Sequence, residues 1–408
     1  MRKYLDNKLF LVLLILPFFN PTAFKFIPGL TALYQAVQYW KLLAILVIAF
    51  IYISNYRFSK IIRAIIVFEA VLLISSLING VSLTEPFLNA LLAIGISMLT
   101  EMAIKINFDK FRNTYFTLSL IAIVLNFILC LIYPNGLPAA TLYDNKSNPM
   151  YLLTIDNGMI KELLPLLVFA YYPYCKGACR NNSGDNKKLI FFICCIISLW
   201  TLSIVASATG LIVCIFFVLV SLIFMLLPDK KLPVKFILSL MALFMLFVVV
   251  IGSNFAVMDT LMGLFGRSGT FTGRTTLWRL AVDKILRKPL LGYGYTSGNI
   301  AIWGGFYSSH NLFLEVTIQG GIVLLAAFLY LIRTAFKNLK KSATPYFNII
   351  ALGLISYLIV GLMETGIDTF FYVLLIMAFN PVLTDKKEAL VADRLVATGD
   401  SSQIMELK

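Results

Sequence analysis

Histidine occurs once in these 408 residues, at position 310, so any imidazole chemistry has a single address. Charge is scarce too. Only 13% of the residues are charged and 60% are hydrophobic, where soluble chains run nearer about a quarter and a half. The mean hydropathy of +0.89 excludes the soluble globular class. Six cysteines are present, and Cys175-Lys176-Gly177-Ala178-Cys179 has no second pair and no histidine nearby, which argues against a zinc site. None of the six lies between 253 and 311, so no disulfide framework is expected there. No internal repeat is apparent, which weighs against a transporter or flippase. Gly292, Gly294 and Gly298 lack the spacing and strand–turn–helix setting of a dinucleotide fingerprint. Ser308 and Ser309 lack a nucleophile elbow.

Apolar runs are plentiful. Crossing the ~30 Å hydrocarbon core takes about 20 residues, and we read about twelve such runs, near 9–27, 37–54, 61–79, 86–104, 115–133, 151–174, 188–205, 208–227, 234–252, 312–332, 347–364 and 367–383. The expected fold class is therefore an all-α polytopic membrane protein, with a transmembrane domain over 1–383. The first run follows Arg2, Lys3 and Lys8 but has no small-residue cleavage site, so it is read as the first helix and not as a signal peptide. Basic clusters at Arg57/Lys60/Arg63, Lys105/Lys110/Arg112, Lys176/Arg180/Lys187/Lys188, Lys230/Lys231/Lys235 and Arg333/Lys337/Lys340/Lys341 fall on one side. The connections at 80–85, 206–208 and 365–367, without Lys or Arg, fall on the other. This positive-inside pattern predicts both termini in the cytoplasm. Much of the net charge of +14 is thus topological. Residues 384–408 read as a flexible cytoplasmic tail.

One connection is long. The segment 253–311, between the ninth and tenth runs, faces outward on this topology, and loops of that length are often functional. It carries Arg267, Arg274, Arg279, Lys284, Arg287 and Lys288 against Asp259 and Asp283. Thr275 to Lys288 has helical periodicity, with Leu277, Leu280, Ala281, Ile285 and Leu286 on one face and Arg279, Asp283, Lys284 and Arg287 away from it. Pro289 ends the helix. With Trp278 near its start, such a helix is expected to lie at the outer membrane surface, either as a plain interfacial helix that attracts anionic lipid or as a basic lid over a site for an anionic, lipid-borne substrate.

His310 follows Ser309, which reads as a helix cap, at the start of the tenth run. The positive end of a helix disfavours imidazolium, so a neutral imidazole and candidate general base are expected there. Arginine remains charged and grips phosphate oxygens with a two-pronged fork. A base for an incoming hydroxyl, together with cations for a departing pyrophosphate, would need neither metal nor cofactor. Gly292 and Gly294 would let a turn after Pro289 bring backbone close to a ligand or to the bundle. Glu69, Glu101, Glu364 and Asp368 are ionisable groups within or beside spans; Glu364 and Asp368 flank a short outer turn where they could bind sugar hydroxyls.

Gly273-Arg274, Trp278, Pro289-Leu290-Leu291-Gly292-Tyr293-Gly294, His310-Asn311, Leu314 and Gly320-Gly321-Ile322 together resemble the O-antigen ligase and polysaccharide polymerase (Wzy-type) superfamily. The resemblance implies a GT-C-like glycosyltransferase, independent of metal, that uses undecaprenyl-pyrophosphate-linked glycans on the outer face of the cytoplasmic membrane. It implies His310 as the base, Arg274 as a pyrophosphate contact with Arg267 or Arg279 beside it, and Asn311 among the substrate-side residues. Partners would be the lipid-linked glycans, membrane lipid and a chain-length regulator. Ligases of this kind usually carry a further arginine in a Ser-Arg context, where this chain reads Ser207-Ala208-Thr209-Gly210. Lys161, near the outer end of the sixth run, is the candidate replacement cation. The missing arginine leans toward a repeat-unit polymerase of capsule, O-antigen or exopolysaccharide type, with a ligase as the alternative.

Overall fold

The computed structural model describes residues 7–138, 149–173, 184–251, 274–296, 300–302, 305–342 and 344–380. Each of the twelve apolar runs contains one helix: α1 Lys8–Ile15, α2 Thr31–Asn55, α3 Lys60–Ile78, α4 Thr84–Ile106, α5 Phe108–Ile132, α6 Met159–Tyr171, α7 Gly184–Ile204, α8 Ala208–Leu226, α9 Val234–Ile251, and then α11 Leu312–Leu339, α12 Thr344–Gly361 and α13 Thr369–Phe379. Between α9 and α11 lies the amphipathic helix α10, Arg274–Arg287, within a residue of its expected bounds. A small hairpin, β1 Ile300–Ile302 and β2 Gly305–Tyr307, adds strand to a chain expected to be all helix. Arg267, Gly298 and the 384–408 tail lie outside the described residues.

These helices differ in length. Among the described residues, eight helices are long and apolar enough to cross a membrane: α2, α3, α4, α5, α7, α8, α11 and α12. Of the others, α1 and α13 are shorter apolar helices, and α6 has 13 residues with Pro165 inside it. Hydropathy cannot separate these cases, because apolar residues also fill irregular backbone buried in protein. Near α1 and α6 two such segments pair directly, the Thr22 N–H donating to the Leu153 carbonyl at 3.4 Å and the Ala23 N–H to Leu152 at 3.2 Å. Non-helical backbone at membrane depth is tolerated where protein covers it and satisfies its polar groups.

The bundle is layered. Over its most apolar stretch α12 is 83% buried, whereas α2 is 22% buried, so α12 is central and α2 peripheral. Helix α13 is buried from Phe370 to Ala378. Large apolar side chains such as Leu46, Phe50, Leu219 and Leu226 stand exposed on the outer helices. Exposed apolar surface on that scale suits lipid and would be costly in water.

Helix α11 is broken at its middle. Gly320 (φ −129°) and Gly321 (φ 65°, ψ −166°) leave helical geometry, and the segment after α10 enters the gap. The Tyr293 and Gly294 N–H groups donate to the carbonyls of Ile318 (2.8 Å) and Gln319 (2.9 Å). In return, the Ile322 N–H donates to Pro289 at 2.8 Å and the Val323 N–H to Leu290 at 3.4 Å. The end of α3 fastens this joint. Ser75 Oγ donates to the Gln319 carbonyl at 2.7 Å, touches that of Leu291 and accepts the Gly294 N–H at 3.1 Å. Ser76 Oγ accepts the Tyr295 N–H at 2.9 Å, and Asn79 Nδ2 donates to Gly292 at 3.1 Å. Glycine is required here: a Cβ on Gly321 would overlap the Leu290 carbonyl, and one on Gly292 would overlap that of Ile318.

Candidate functional site

Helix α10 carries the first functional side chain. Leu277, Trp278 and Ala281 are buried in a cluster with Ile300, Leu314 and Ile318, so this part of the helix faces protein. Trp278 is 2% exposed, buried among protein side chains where the sequence reading expected a membrane-surface residue. Leu286, expected on the same apolar face, is exposed. Anchored this way, Arg274 points from the first turn of α10 toward the loop between α12 and α13. Its Nη2 meets Glu364 Oε1 at 3.0 Å, and its Nη1 faces Met363 Sδ at 3.8 Å. Both partners of this ion pair are largely buried, with side chains 15% and 12% exposed.

The other oxygen of Glu364 faces His310, with Oε2 3.7 Å from Nδ1. That nitrogen is buried and makes no hydrogen bond, while the ring as a whole is 33% exposed, so its accessible surface lies away from Nδ1. His310 has φ 47°, a left-handed conformation that costs a non-glycine residue about 1–3 kcal/mol and persists only where the surroundings impose it.

The imposing contacts come from the start of α11. The cap is Asn311, not Ser309: its Oδ1 accepts the N–H groups of Phe313 (3.0 Å) and Leu314 (3.1 Å). Its Nδ2 donates to the Leu362 carbonyl at 3.0 Å, which ties the cap to the end of α12. Ser309 is held instead by Glu315, whose Oε2 accepts both the Ser309 N–H and the Ser309 hydroxyl at 2.8 Å.

Lys161, at the start of α6, reaches the same turn from the opposite side. Its Nζ donates to the carbonyls of Thr365 (2.5 Å) and Gly366 (2.8 Å) and stands over the Tyr357 ring. Asp368 caps α13 by accepting the Phe371 N–H at 3.1 Å, and its own N–H donates to Tyr357 Oη at 2.8 Å. Residues 364–368 are therefore pinned at both ends.

Of the residues singled out from sequence, the structure brings together Arg274, Glu364, His310 and Asn311, with Lys161 behind the Glu364 turn. Arg279 is exposed on the far side of α10 from its buried stripe. Gly292 and Gly294 sit in the joint with α11, packed on bundle backbone. Lys284 lies on α10 over the Tyr293 ring; burial pushes its pKa down and the Glu315 carboxylate opposes that shift. Glu69 is remote, deep in the bundle, where it accepts Tyr372 Oη at 2.5 Å. Glu315 escaped the sequence reading, although its place six residues beyond Ser309 in the first turn of an otherwise apolar helix was a visible signal. Among the described residues no three His, Cys, Asp or Glu side chains converge as a metal site.

Residues 190–329 match the family model described as O-Antigen ligase. The matched segment, less than half of the chain, contains Arg274, Gly292, Gly294, His310, Asn311 and Glu315; Lys161 and Glu364 lie outside it. The exopolysaccharide production protein ExoQ of Rhizobium meliloti (strain 1021) is 30% identical over 98 residues, covering 20% of this chain and 22% of that protein. The chain thus spans well under two thirds of the relative's length.

Proposed function

We propose that this protein is a glycosyltransferase of polysaccharide synthesis, acting on the outer face of the cytoplasmic membrane as a repeat-unit polymerase. It joins one undecaprenyl-pyrophosphate-linked glycan to the acceptor sugar of another. His310 takes the proton from the acceptor hydroxyl through the nitrogen away from Glu364. The hydroxyl oxygen bonds to the donor's anomeric carbon as that carbon's bond to the pyrophosphate oxygen breaks. Undecaprenyl pyrophosphate departs with the electron pair, and Arg274 stabilises its charge. Arginine has five N–H donors in a planar fork, so pairing with Glu364 leaves others for phosphate oxygens. Glu364 orients the imidazole through Nδ1 and offsets the positive charge that develops on it.

The observation that carries this reading is the junction of Arg274, Glu364 and His310: a guanidinium from α10 and an imidazole from the turn before α11 set on one largely buried carboxylate. The O-antigen ligase match across 190–329 and the similarity to an exopolysaccharide production protein support a role of this class. The test is turnover of a purified lipid-linked repeat unit in detergent. A positioned base contributes about 10²–10⁴-fold, so His310→Ala should lower turnover by roughly that factor with the protein still folded in the membrane. Unchanged polymer yield and length in that variant would overturn the mechanism. Glycosidic bond formation by the purified protein also excludes a flippase acting alone.

The name of the matched family model favours a second reading, a ligase that moves finished glycan to another acceptor. A deletion strain separates the two: single lipid-linked repeats accumulate if a polymerase is lost, and unattached long polymer accumulates if a ligase is lost.

A further inference from the structure

His310 is held in a strained left-handed conformation by its neighbours in the chain and not by hydrogen bonds of its own Nδ1, which has none. Asn311 on one side is the α11 cap. Ser309 on the other is buried, with both its backbone N–H and its hydroxyl on a single oxygen of Glu315. Glu315 is itself 5% exposed, a carboxylate in the first turn of a membrane helix where an apolar residue would be the ordinary choice. Its second oxygen faces Gln319 Nε2 at 3.4 Å, and Lys284 of α10 lies within its electrostatic reach. The carboxylate thus joins the turn before His310, the start of α11 and the basic helix.

We propose that Glu315 is a positioning residue, whose grip on Ser309 locks the 309–311 turn and thereby aims His310 Nδ1 at Glu364. This rests on the reading of His310 as the general base. Without the carboxylate, the Ser309 N–H loses its acceptor and the hydroxyl keeps only the Asn311 carbonyl at 3.0 Å, so the left-handed conformation at 310 loses support and the imidazole samples orientations that do not face Glu364.

The single histidine makes the test clean, because protein labelled at one histidine ring carbon yields one imidazole NMR resonance and has one histidine for diethyl pyrocarbonate to modify. In detergent, Glu315→Ala should broaden or split that resonance and speed diethyl pyrocarbonate modification several-fold. It should lower kcat by about 10–100-fold, within what a positioned base supplies, with KM for the lipid-linked substrate unchanged. Glu315→Gln, which keeps an oxygen acceptor of the same reach, should restore the resonance and most of kcat. If Glu315→Ala does not fold, Ser309→Ala should move the same signals in the same direction by less. A wild-type resonance, reactivity and kcat in Glu315→Ala, or in Ser309→Ala where it stands in, would overturn the proposal. If His310→Ala retains turnover while Glu315→Ala still shifts the resonance, the reading of His310 as base fails and the positioning role stands.

Discussion

Arg274 and His310 occupy opposite oxygens of one carboxylate: Glu364 Oε1 lies 3.0 Å from the guanidinium and Oε2 lies 3.7 Å from the imidazole. Glu364 is followed by two carbonyls, of Thr365 and Gly366, that accept Lys161, and preceded by the Leu362 carbonyl that accepts Asn311. A guanidinium for leaving-group charge and an imidazole for a proton are thus held at a set separation by a third group.

If the three act as a unit, their losses will not add. Glu364→Ala should lower turnover by roughly 10–100-fold, and Glu364→Ala combined with His310→Ala should be little worse than His310→Ala alone. Initial rates across the double-mutant cycle check this. A double variant lower by the product of the single losses would show that Glu364 acts apart from His310.

Arg274 and Lys161 are both cations at this end of the bundle, yet their hydrogen bonds assign them different work. Arg274→Lys keeps the charge and loses the fork, so turnover should fall about tenfold or more and inhibition by added pyrophosphate should weaken. Lys161 spends its ammonium on two turn carbonyls. Lys161→Gln should therefore lower thermal stability in detergent and leave pyrophosphate inhibition near the wild-type level. Inhibition curves for the two variants decide the matter: a weakened pyrophosphate response in Lys161→Gln would make Lys161 the substitute phosphate contact.

The broken helix offers a prediction independent of any reaction. Gly321→Ala forces a Cβ into the Leu290 carbonyl at φ 65°, whereas Gly29→Ala meets nothing within 4 Å at φ 86°. Gly29→Ala should cost only the backbone term of about 1 kcal/mol, and Gly321→Ala should cost several kcal/mol or prevent folding. Thermal melts of the two purified variants provide the comparison; equal melting points would mean that the α10–α11 joint yields easily.

The sequence by itself determined what local pattern controls. Runs of apolar residues located the eight helices long enough to cross a membrane, because burial and lipid exposure both select apolar side chains along a helix. The periodicity of 275–288 and the stop at Pro289 set α10 to within a residue because both act over one or two turns. Only the tertiary structure decided what depends on sequence-distant partners. Whether an apolar run spans or folds into irregular backbone depends on what covers it, as Thr22 and Ala23 show against Leu153 and Leu152. Ser309 and Asn311 are both able caps, and the choice fell to Asn311 because its amide also reaches Leu362 while Glu315 takes Ser309. Trp278 looked like a membrane-surface residue until α9, α11 and the β1 strand closed over it. Glu364 read as a sugar contact because nothing within its own loop announces Arg274 or His310; their meeting is a product of how α10, α11 and α12 pack.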